Sequence, residues 1–223
     1  MNEKGLIKTD LGGYEDTALE PLPEVRENWN MVITRQSPAE ITLEARKLLQ
    51  NGCLKLQRRL TIKQGDPSLY LRYTIANQSQ KSICFPWRAR LVPGVGFARD
   101  AGQGNPWEDE VWVPGVSGEP IFSFRPEAEK VSSRRCDLPE GIVLCYDRFS
   151  KTALVVLAPV GSGSIYYSTD SAAGSYFLLY SNASEDCGLT IPPGGAAVFE
   201  LQLIGLFGVS HPDEVIRKWT PRR

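Results

Sequence analysis

The amino-acid sequence predicts an all-β protein in which two antiparallel sheets pack together and one short helix follows the last strand. Apolar and polar residues alternate with a period of two in most segments, as in strands that place one face on a core. Short turn sequences rich in Gly, Pro, Asn and Asp separate these segments. A chain of 223 residues can bury a substantial core without disulfides, so we expect one domain over residues 1–223.

The alternation is clearest between Arg58 and Val92, where the sequence predicts three consecutive antiparallel strands. The turn sequence QGDP at 64–67 separates the first two strands, and NQSQ at 77–80 separates the second from the third. Arg58 itself falls on the apolar face of the first strand. An arginine in that position usually lies at the rim of a sheet with its guanidinium group in water, and a ligand contact is the alternative.

Residues 31–52 support two interpretations. The sequence SPAE at 37–40 has the form of a helix-capping box with a proline at the first helical position. Ile41, Leu43 and Ala45, however, alternate with polar residues as in a strand. We favour the strand because the rest of the chain is predicted to be β.

The two ends of the chain differ in character. Residues 1–30 show no period, which predicts an irregular segment that either packs over a sheet or begins a domain whose first strands are missing. Near the other end, Ser210 stands ahead of a proline, two acidic residues and then two basic residues. This order predicts one short helix that begins at a capping serine and ends near Trp219.

The remaining strands are predicted by the same alternation, to give about eleven strands in all. They comprise a short strand, two hairpins and a long strand, at 107–113, 142–158, 164–181 and 197–206. Residues 93–107 form a glycine-rich loop of the length typical of binding loops. Residues 116–140 are rich in Pro, Ser and Glu and are predicted to be irregular.

Composition and charge argue against several classes of partner. The 26 acidic and 25 basic residues leave a net charge of −1, so no global field attracts nucleic acid or an anionic membrane. The five cysteines include no CxxC pair, which argues against a zinc ribbon or a redox motif. We expect no cofactor and no bound metal. The sequence has neither a secretion signal nor an apolar run of 18 residues, which predicts a cytoplasmic protein.

Several short motifs occur in an order that resembles one known superfamily. They are spread over residues 12–206, as Gly12-Gly13, Pro23-Glu24, the strand pair at Arg59–Lys63 and Leu69–Asn77, Phe85-Pro86-Trp87 before Pro93-Gly94, and LTIPPGG before a long strand. In this order they resemble the galactose-mutarotase-like (aldose-epimerase-like) supersandwich, and in particular an uncharacterised branch of it. The resemblance implies a carbohydrate ligand on the concave face of the larger of two antiparallel sheets.

The resemblance also implies catalytic residues that this sequence lacks. True mutarotases are expected to use histidines as acid and ligand and a glutamate as general base. The single histidine, His211, lies beyond the last predicted strand in a helix-capping context. Where a catalytic histidine is expected after the third strand, the chain has Trp87-Arg88-Ala89-Arg90. We therefore predict sugar binding without histidine-based epimerisation, and any catalysis would be that of an isomerase or hydrolase that uses carboxylates.

Arg88 and Arg90 are candidate ligand-binding residues. They are two positions apart on a predicted strand, so both project from the same face, about 7 Å apart. Two guanidinium groups at that spacing could hold a carboxylate or a phosphate. The pair therefore predicts an anionic ligand such as a uronate or a sugar phosphate, and the alternative is a solvated outer face.

A second set of candidates combines aromatic rings with carboxylates. Sugar sites use aromatic rings to stack on C–H faces and carboxylates to accept hydroxyl hydrogens or move protons. The candidates are Glu108 as a catalytic residue and, as ligand contacts, Trp107, Glu110, Trp112, Tyr166 and Asp170. The alternative for the acidic residues is an exposed strand edge that discourages pairing with other chains.

The sequence leaves two functions open. The first is a carbohydrate-binding protein for an anionic or phosphorylated sugar, with no nucleic-acid or membrane partner. The second is a non-enzymatic interaction or structural module of a larger assembly, which includes a homo-oligomer. Convergence of Arg88, Arg90, Trp107 and Glu108 in one pocket would favour the first function, and a partner that covers the two arginines would favour the second.

Overall fold

The computed structural model describes sixteen strands and one helix. The described residues are 8–11, 30–49, 52–85, 89–92, 110–115, 120–124, 133–138, 140–159, 164–170, 175–181 and 189–219. The strands are β1 (Lys8–Leu11), β2 (Val32–Gln36), β3 (Glu40–Leu49), β4 (Leu54–Lys63), β5 (Ser68–Asn77), β6 (Ile83–Phe85), β7 (Ala89–Val92), β8 (Glu110–Pro114), β9 (Pro120–Phe124), β10 (Ser133–Asp137), β11 (Ile142–Asp147), β12 (Thr152–Leu157), β13 (Ser164–Asp170), β14 (Ser175–Ser181), β15 (Leu189–Ile191) and β16 (Ala196–Phe207). The helix, α1, is Pro212–Trp219.

The strands form two large sheets and one small one. The nine-stranded sheet has the order β2-β3-β4-β5-β16-β12-β11-β8-β9, the five-stranded sheet β1-β7-β14-β13-β10, and the two-stranded sheet β15-β6. Each pairing whose register is described is antiparallel. The prediction of an all-β fold with two antiparallel sheets and one short C-terminal helix is therefore confirmed.

The chain also divides into two compact units. The first unit contains residues 1–9, 90–181 and 204–223. The second unit contains residues 10–89 and 182–203. β16 contributes residues to both units, because the division falls between Leu203 and Ile204.

The predicted three-stranded meander is confirmed for its first two strands and wrong for the third. β4 and β5 pair antiparallel, from Leu54 opposite Asn77 to Ile62 opposite Leu69. The segment predicted as the third strand instead provides β6, which pairs with β15, and β7, which belongs to the five-stranded sheet, while β16 lies beside β5. Residues 86–88, between β6 and β7, lie outside the described residues.

The strand interpretation of residues 31–52 is confirmed by the β2–β3 hairpin. The sequence SPAE supplies its turn. The amide of Ser37 donates to the carbonyl of Glu40 at 2.9 Å, and the amide of Glu40 donates to the Ser37 hydroxyl at 3.1 Å. The side-chain bond that could cap a helix therefore closes a hairpin, since the residues after it alternate with a period of two.

The remaining strand predictions are confirmed in part. The two predicted hairpins are confirmed as β11–β12 and β13–β14, and the long strand is confirmed as β16. Three strands lie in segments predicted to be irregular, β1 within residues 1–30 and β9 and β10 within residues 116–140. Each has only four or five residues, which is too short for a period of two to stand out.

The core of the first unit lies between α1 and the strands that it covers. Val215 and Ile216 of α1 pack against buried side chains of three strands, namely Ile142, Leu144, Tyr146, Ala153, Val155 and Ile204. Burial of each aliphatic side chain contributes about 1.5–3 kcal/mol.

The sequence predicted α1 but not its cap. The ring of His211, through Nδ1, accepts the amide hydrogen of Asp213 at 3.3 Å, so the capping side chain belongs to His211 rather than to Ser210.

The second unit has its own core beneath β4, β5 and β16. Asn77 is completely buried there and ties two segments together. Its Nδ2 donates to the carbonyls of Lys81 at 2.7 Å and Ile191 at 2.9 Å, while its Oδ1 accepts from the amide of Ser79 at 2.9 Å. The Nε atom of Arg58 is also buried, so this atom is not in water as a rim position would place it, although the residue is partly exposed. The buried apolar residues of this core include Leu54, Leu56, Leu71, Tyr73, Ile75, Phe199 and Leu201.

Replacement of Gly141 by alanine should destabilise the protein more than the same change at Gly52. Both glycines have positive φ, 66° at Gly141 and 86° at Gly52, which alone costs about 1–2 kcal/mol for alanine. A Cβ atom at Gly141 would also lie 2.2 Å from the carbonyl oxygen of Ala158, whereas Gly52 has open space. We expect Gly141→Ala to lower the free energy of unfolding by about 3 kcal/mol or more in urea titrations. Equal losses for the two variants would contradict the predicted clash.

Candidate functional site

The second unit carries a strongly polar sheet face. Alternate residues of β3, β4, β5 and β16 point into the core, so the residues between them share the opposite face. We call this surface the polar face. Its described residues include Thr42, Glu44, Arg46, Gln57, Arg59, Thr61, Tyr70, Arg72, Thr74, Glu200 and Gln202.

Four charged side chains form a row across the polar face. The strand register places Glu44 opposite Arg59, and Arg59 opposite Arg72. Arg59 donates from Nε to Oε1 of Glu44 at 2.8 Å, and its Nη2 forms an ion pair with the same oxygen at 2.6 Å. Arg72 Nη1 lies 3.1 Å from Oε1 of Glu200 on β16. We call Glu44, Arg59, Arg72 and Glu200 the charged row, in which two arginines lie side by side between two glutamates.

Glu44 is the buried member of the charged row, with only 5% of the residue exposed. Its Oε2 accepts hydrogen bonds from Nε2 of Gln57 at 2.9 Å and from Nη2 of Arg46 at 3.2 Å. Burial acts to raise the pKa of Glu44, but the hydrogen bonds and charge of Arg59, with those from Arg46 and Gln57, hold this pKa below its usual value. Glu44 is therefore ionised at neutral pH and cannot act there as a proton donor.

A cavity of about 210 Å³ lies next to the charged row and is lined by Gln57, Arg59, Arg72 and Thr74. These residues are two cross-strand pairs of β4 and β5, Arg59 with Arg72 and Gln57 with Thr74. The cavity is smaller than the roughly 300–1,000 Å³ typical of sites for drug-sized ligands, so its size suits one small polar molecule or one sugar ring. Its guanidinium groups donate hydrogen bonds, and its amide and hydroxyl groups both donate and accept them.

Tyr70 lies beside the charged row on β5, and hydrogen bonds fix its ring. Its hydroxyl donates to Oδ2 of Asp66 at 2.6 Å, and this bond raises the pKa of Tyr70. Gln202 Nε2 approaches the same hydroxyl at 3.5 Å, and Nζ of Lys63 lies 4.5 Å from the ring centroid. The polar face thus includes one oriented aromatic ring, a feature that sugar sites use.

Most of the site residues predicted from the sequence cannot be compared with the polar face. Arg88, Trp107 and Glu108 lie outside the described residues. Strand positions but no side-chain positions are described for Arg90 in β7 and for Tyr166 and Asp170 in β13. The ligand-binding roles of these residues, and the catalytic role of Glu108, stay predictions.

Glu110 and Trp112 are brought together on β8 in the first unit. Nε1 of Trp112 donates to Oε2 of Glu110 at 3.2 Å, and Glu110 is only 9% exposed. Because β8 lies between β9 and β11, an exposed acidic edge is the wrong explanation for Glu110. The rings of Trp112 and His211 meet edge to face with centroids 6.3 Å apart, and Trp112 packs against the core of this unit. Burial, followed by the negative charge of Glu110, raises the pKa of Tyr146, the cross-strand partner of Glu110.

The charged row was not predicted from the sequence. Each of its members occupies an outward position in its strand, which by itself indicates only a solvated face. The signal that could have found it is the cross-strand alignment of Glu44, Arg59 and Arg72, which follows once the β3–β4 and β4–β5 registers are known. The fourth member, Glu200, joins from a strand far along the chain.

The described residues contain neither a metal-binding cluster nor a membrane-spanning helix. No three His, Cys, Asp or Glu side chains among them are close enough to hold a metal ion. No helix in this part of the chain is long and apolar enough to cross a bilayer. The helix α1 has eight residues.

The structure is similar to several solved structures. A galactose mutarotase-like protein from Lactobacillus casei matches with a TM-score of 0.61 and 10% identity, over 90% of this chain and 85% of that one. A galactose mutarotase-like protein from Clostridium acetobutylicum matches with a TM-score of 0.57 and 11% identity, over 92% of this chain and 81% of that one. A galactose mutarotase related enzyme from Lactobacillus acidophilus matches with 0.54 and 9%, over 82% and 73%. No protein-family model and no curated protein matches the sequence.

These similarities establish the fold of the chain. It is the galactose-mutarotase-like fold, as the order of the short motifs predicted. Sequence identities of 9–11% show only that the fold is shared, since unrelated functions can occur on one fold. The chemistry of the site must therefore be argued from the side chains of this chain.

Replacement of Glu44 by glutamine should destabilise the protein at neutral pH and less so in acid. The variant removes charge-assisted hydrogen bonds, so we expect a loss of about 1.5–3 kcal/mol at pH 7. Because the pKa of Glu44 is lowered by folding, its stabilisation is present above the unfolded value of about 4.3 and lost as the pH falls through the folded pKa. Urea titrations between pH 3 and 7 measure this difference.

Glu40→Gln is the matched control for this prediction. Glu40 lies on the same strand, where its side chain is 22% exposed and pairs at 3.3 Å with Arg35, whose side chain is 67% exposed. Because the Arg35 side chain is accessible to water, this ion pair should contribute less than about 1 kcal/mol. A pH-independent loss in Glu44→Gln, or equal losses in both variants, would contradict the role assigned to the buried carboxylate.

Proposed function

We propose that the chain is a carbohydrate-binding protein and that its sugar occupies the cavity on the polar face. The observation that carries the proposal is this cavity between β4 and β5, lined by Gln57, Arg59, Arg72 and Thr74. It lies in a chain with the galactose-mutarotase-like fold. A sugar ring presents hydroxyl groups that donate and accept at the same time, and the lining offers matching donors and acceptors.

Hydrogen bonds hold two of the lining side chains in place, which favours ligand binding. Glu44 fixes the guanidinium of Arg59 and the amide of Gln57 by direct hydrogen bonds. Ligands bind more tightly to groups that are already ordered, because less side-chain entropy is lost on binding. The Tyr70 ring, held by Asp66, adds an aromatic surface on the same face.

We further propose that the sugar is anionic, a sugar carboxylate or a sugar phosphate. Arg59 and Arg72 both line the cavity and support this preference. Guanidinium groups bind carboxylate and phosphate oxygens through two parallel hydrogen bonds. Arg88 and Arg90 stay separate candidates for anion binding, predicted from the sequence alone.

The proposed action is binding without histidine-based epimerisation. An epimerase needs a group that gives or takes a proton near neutral pH. Glu44 is ionised and cannot give a proton, and it is a weak base, because three hydrogen bonds and an ion pair with Arg59 hold its pKa below the usual value. His211 belongs to the first unit and caps α1. Glu108 stays the candidate that the sequence predicts for carboxylate-based proton transfer, and it lies outside the described residues.

Isothermal titration calorimetry with neutral and acidic monosaccharides tests the proposal. We expect at least one sugar to bind the wild-type protein. The double variant Gln57→Ala/Thr74→Ala should weaken binding about tenfold or more, since each lost hydrogen bond contributes about 0.5–1.5 kcal/mol. Gln36→Ala, a change in an exposed residue of β2, should leave the affinity unchanged. A folded protein that binds no sugar would refute the proposed function.

One observation favours the alternative function, an interaction module. Ile33, Ile41 and Ile62 are between 40% and 58% exposed on β2, β3 and β4 and share the face opposite the polar face, where Ile41 and Ile62 are cross-strand partners. β2 is an edge strand of the nine-stranded sheet. Under this alternative, a second copy of the chain covers these side chains. Light scattering over a range of concentrations should then detect a dimer that Ile41→Lys dissociates, and a monomer throughout would count against it.

A further inference from the structure

We infer that the ligand of this cavity carries a single carboxylate, as a hexuronic acid does. The inference rests on the proposed function and specifies the class of sugar. Three features of the described residues lead to it: the pairing of Arg59 with Arg72, the charges around the cavity, and the arrangement of its four lining residues.

Arg59 and Arg72 lie directly opposite each other on β4 and β5. Like charges in this relation destabilise a sheet, since their Cβ atoms are only about 4.5–5.5 Å apart. Both guanidinium groups line the same cavity, and their side chains are 45% and 49% exposed, so a ligand can reach them. An anion between them would relieve the repulsion.

Each arginine has donors left for such an anion. Arg59 directs Nε and Nη2 to Glu44, and Arg72 directs Nη1 to Glu200. A guanidinium group carries five N–H bonds, so these contacts leave further N–H groups on both side chains. The glutamates therefore hold the arginines in place without using all of their hydrogen-bonding capacity.

The charges that line the cavity are those of Arg59 and Arg72, and each arginine is paired with a glutamate outside the lining, Glu44 for Arg59 and Glu200 for Arg72. Arg46 and Lys55 share the polar face but do not line the cavity. A ligand with one negative charge can therefore contact both arginines with the least repulsion from the two glutamates.

A phosphate ester fits these charges less well than a carboxylate. It carries about −1.5 to −2 charges at pH 7. The additional negative charge would lie close to Glu44 and Glu200, whose carboxylates already occupy the outer positions of the charged row. Repulsion from these carboxylates should therefore reduce the affinity for a sugar phosphate.

The lining residues divide the cavity into a cationic side and a neutral side. Arg59 and Arg72 form the first, and Gln57 and Thr74 form the second. Residues two positions apart along a strand are about 7 Å apart. A uronic acid has a carboxylate at one end and ring hydroxyls at the other, so the carboxylate would contact the arginines while hydroxyls contact the amide and the threonine.

Calorimetric titration at low ionic strength and pH 7 tests the inference with three kinds of probe. These are glucuronate and galacturonate, the neutral sugars glucose and galactose, and glucose 6-phosphate. We expect at least one uronate to bind about tenfold or more tightly than its neutral counterpart and more tightly than the phosphate ester. This advantage should shrink at about 0.5 M salt, where charges are screened over a few ångströms.

Variants of Arg72 distinguish the effect of losing its positive charge from the effect of changing the shape of the cavity. Arg72→Gln should reduce uronate affinity about tenfold or more and change neutral-sugar affinity no more than about threefold, while Arg72→Lys should retain part of the uronate preference. Arg148→Gln is the control, because it changes the net charge equally at an exposed turn residue of the first unit.

The outcomes distinguish the inference from the proposed function. Equal affinities for acidic and neutral sugars, tighter binding of glucose 6-phosphate, or an equal loss for all sugars in Arg72→Gln would overturn the carboxylate inference and leave sugar binding in place. No binding of any sugar by the folded wild-type protein would overturn both.

Discussion

The buried carboxylate of Glu44 is the constraint on which the polar face depends. Removal of an ionised carboxylate from water is costly unless hydrogen bonds and opposite charges offset it. Arg59, Arg46 and Gln57 provide this compensation, and each side chain is positioned by doing so. Two of the four cavity-lining side chains are therefore ordered by a group that does not itself line the cavity. The same bonds that allow the charge to be buried also pre-organise the candidate site.

The fold and the site carry different information. The galactose-mutarotase-like fold is established by similarity to solved structures with which the chain shares about 10% sequence identity. At this identity the side-chain chemistry of the site is free to vary. On the polar face this chain presents arginines, an amide and a threonine around an ionised glutamate. These groups suit recognition of hydroxyls and of negative charge. Rigid strands hold them, and sites on strands keep their geometry better than sites on loops.

The sequence predicted local features better than distant pairings. The β4–β5 hairpin follows from alternating residues around QGDP, and α1 follows from its acidic start and basic end. The split of residues 83–92 between two sheets could not be predicted, since β6 pairs with β15, a strand far along the chain. Glu44 and Glu110 illustrate the same limit. Both alternate with apolar neighbours in sequence, and only strand register and sheet position reveal that both carboxylates are buried.

Asn77 has a consequence for covalent modification of the chain. Asn77-Gln78-Ser79 has the form of an N-glycosylation acceptor, and the attachment atom is the side-chain nitrogen. In the folded protein this nitrogen is buried and donates to Lys81 and Ile191. A glycan attached before folding would remove the link between the turn after β5 and β15. Passage through a glycosylating secretory pathway would therefore compete with folding, and expression in a bacterial cytoplasm avoids that competition.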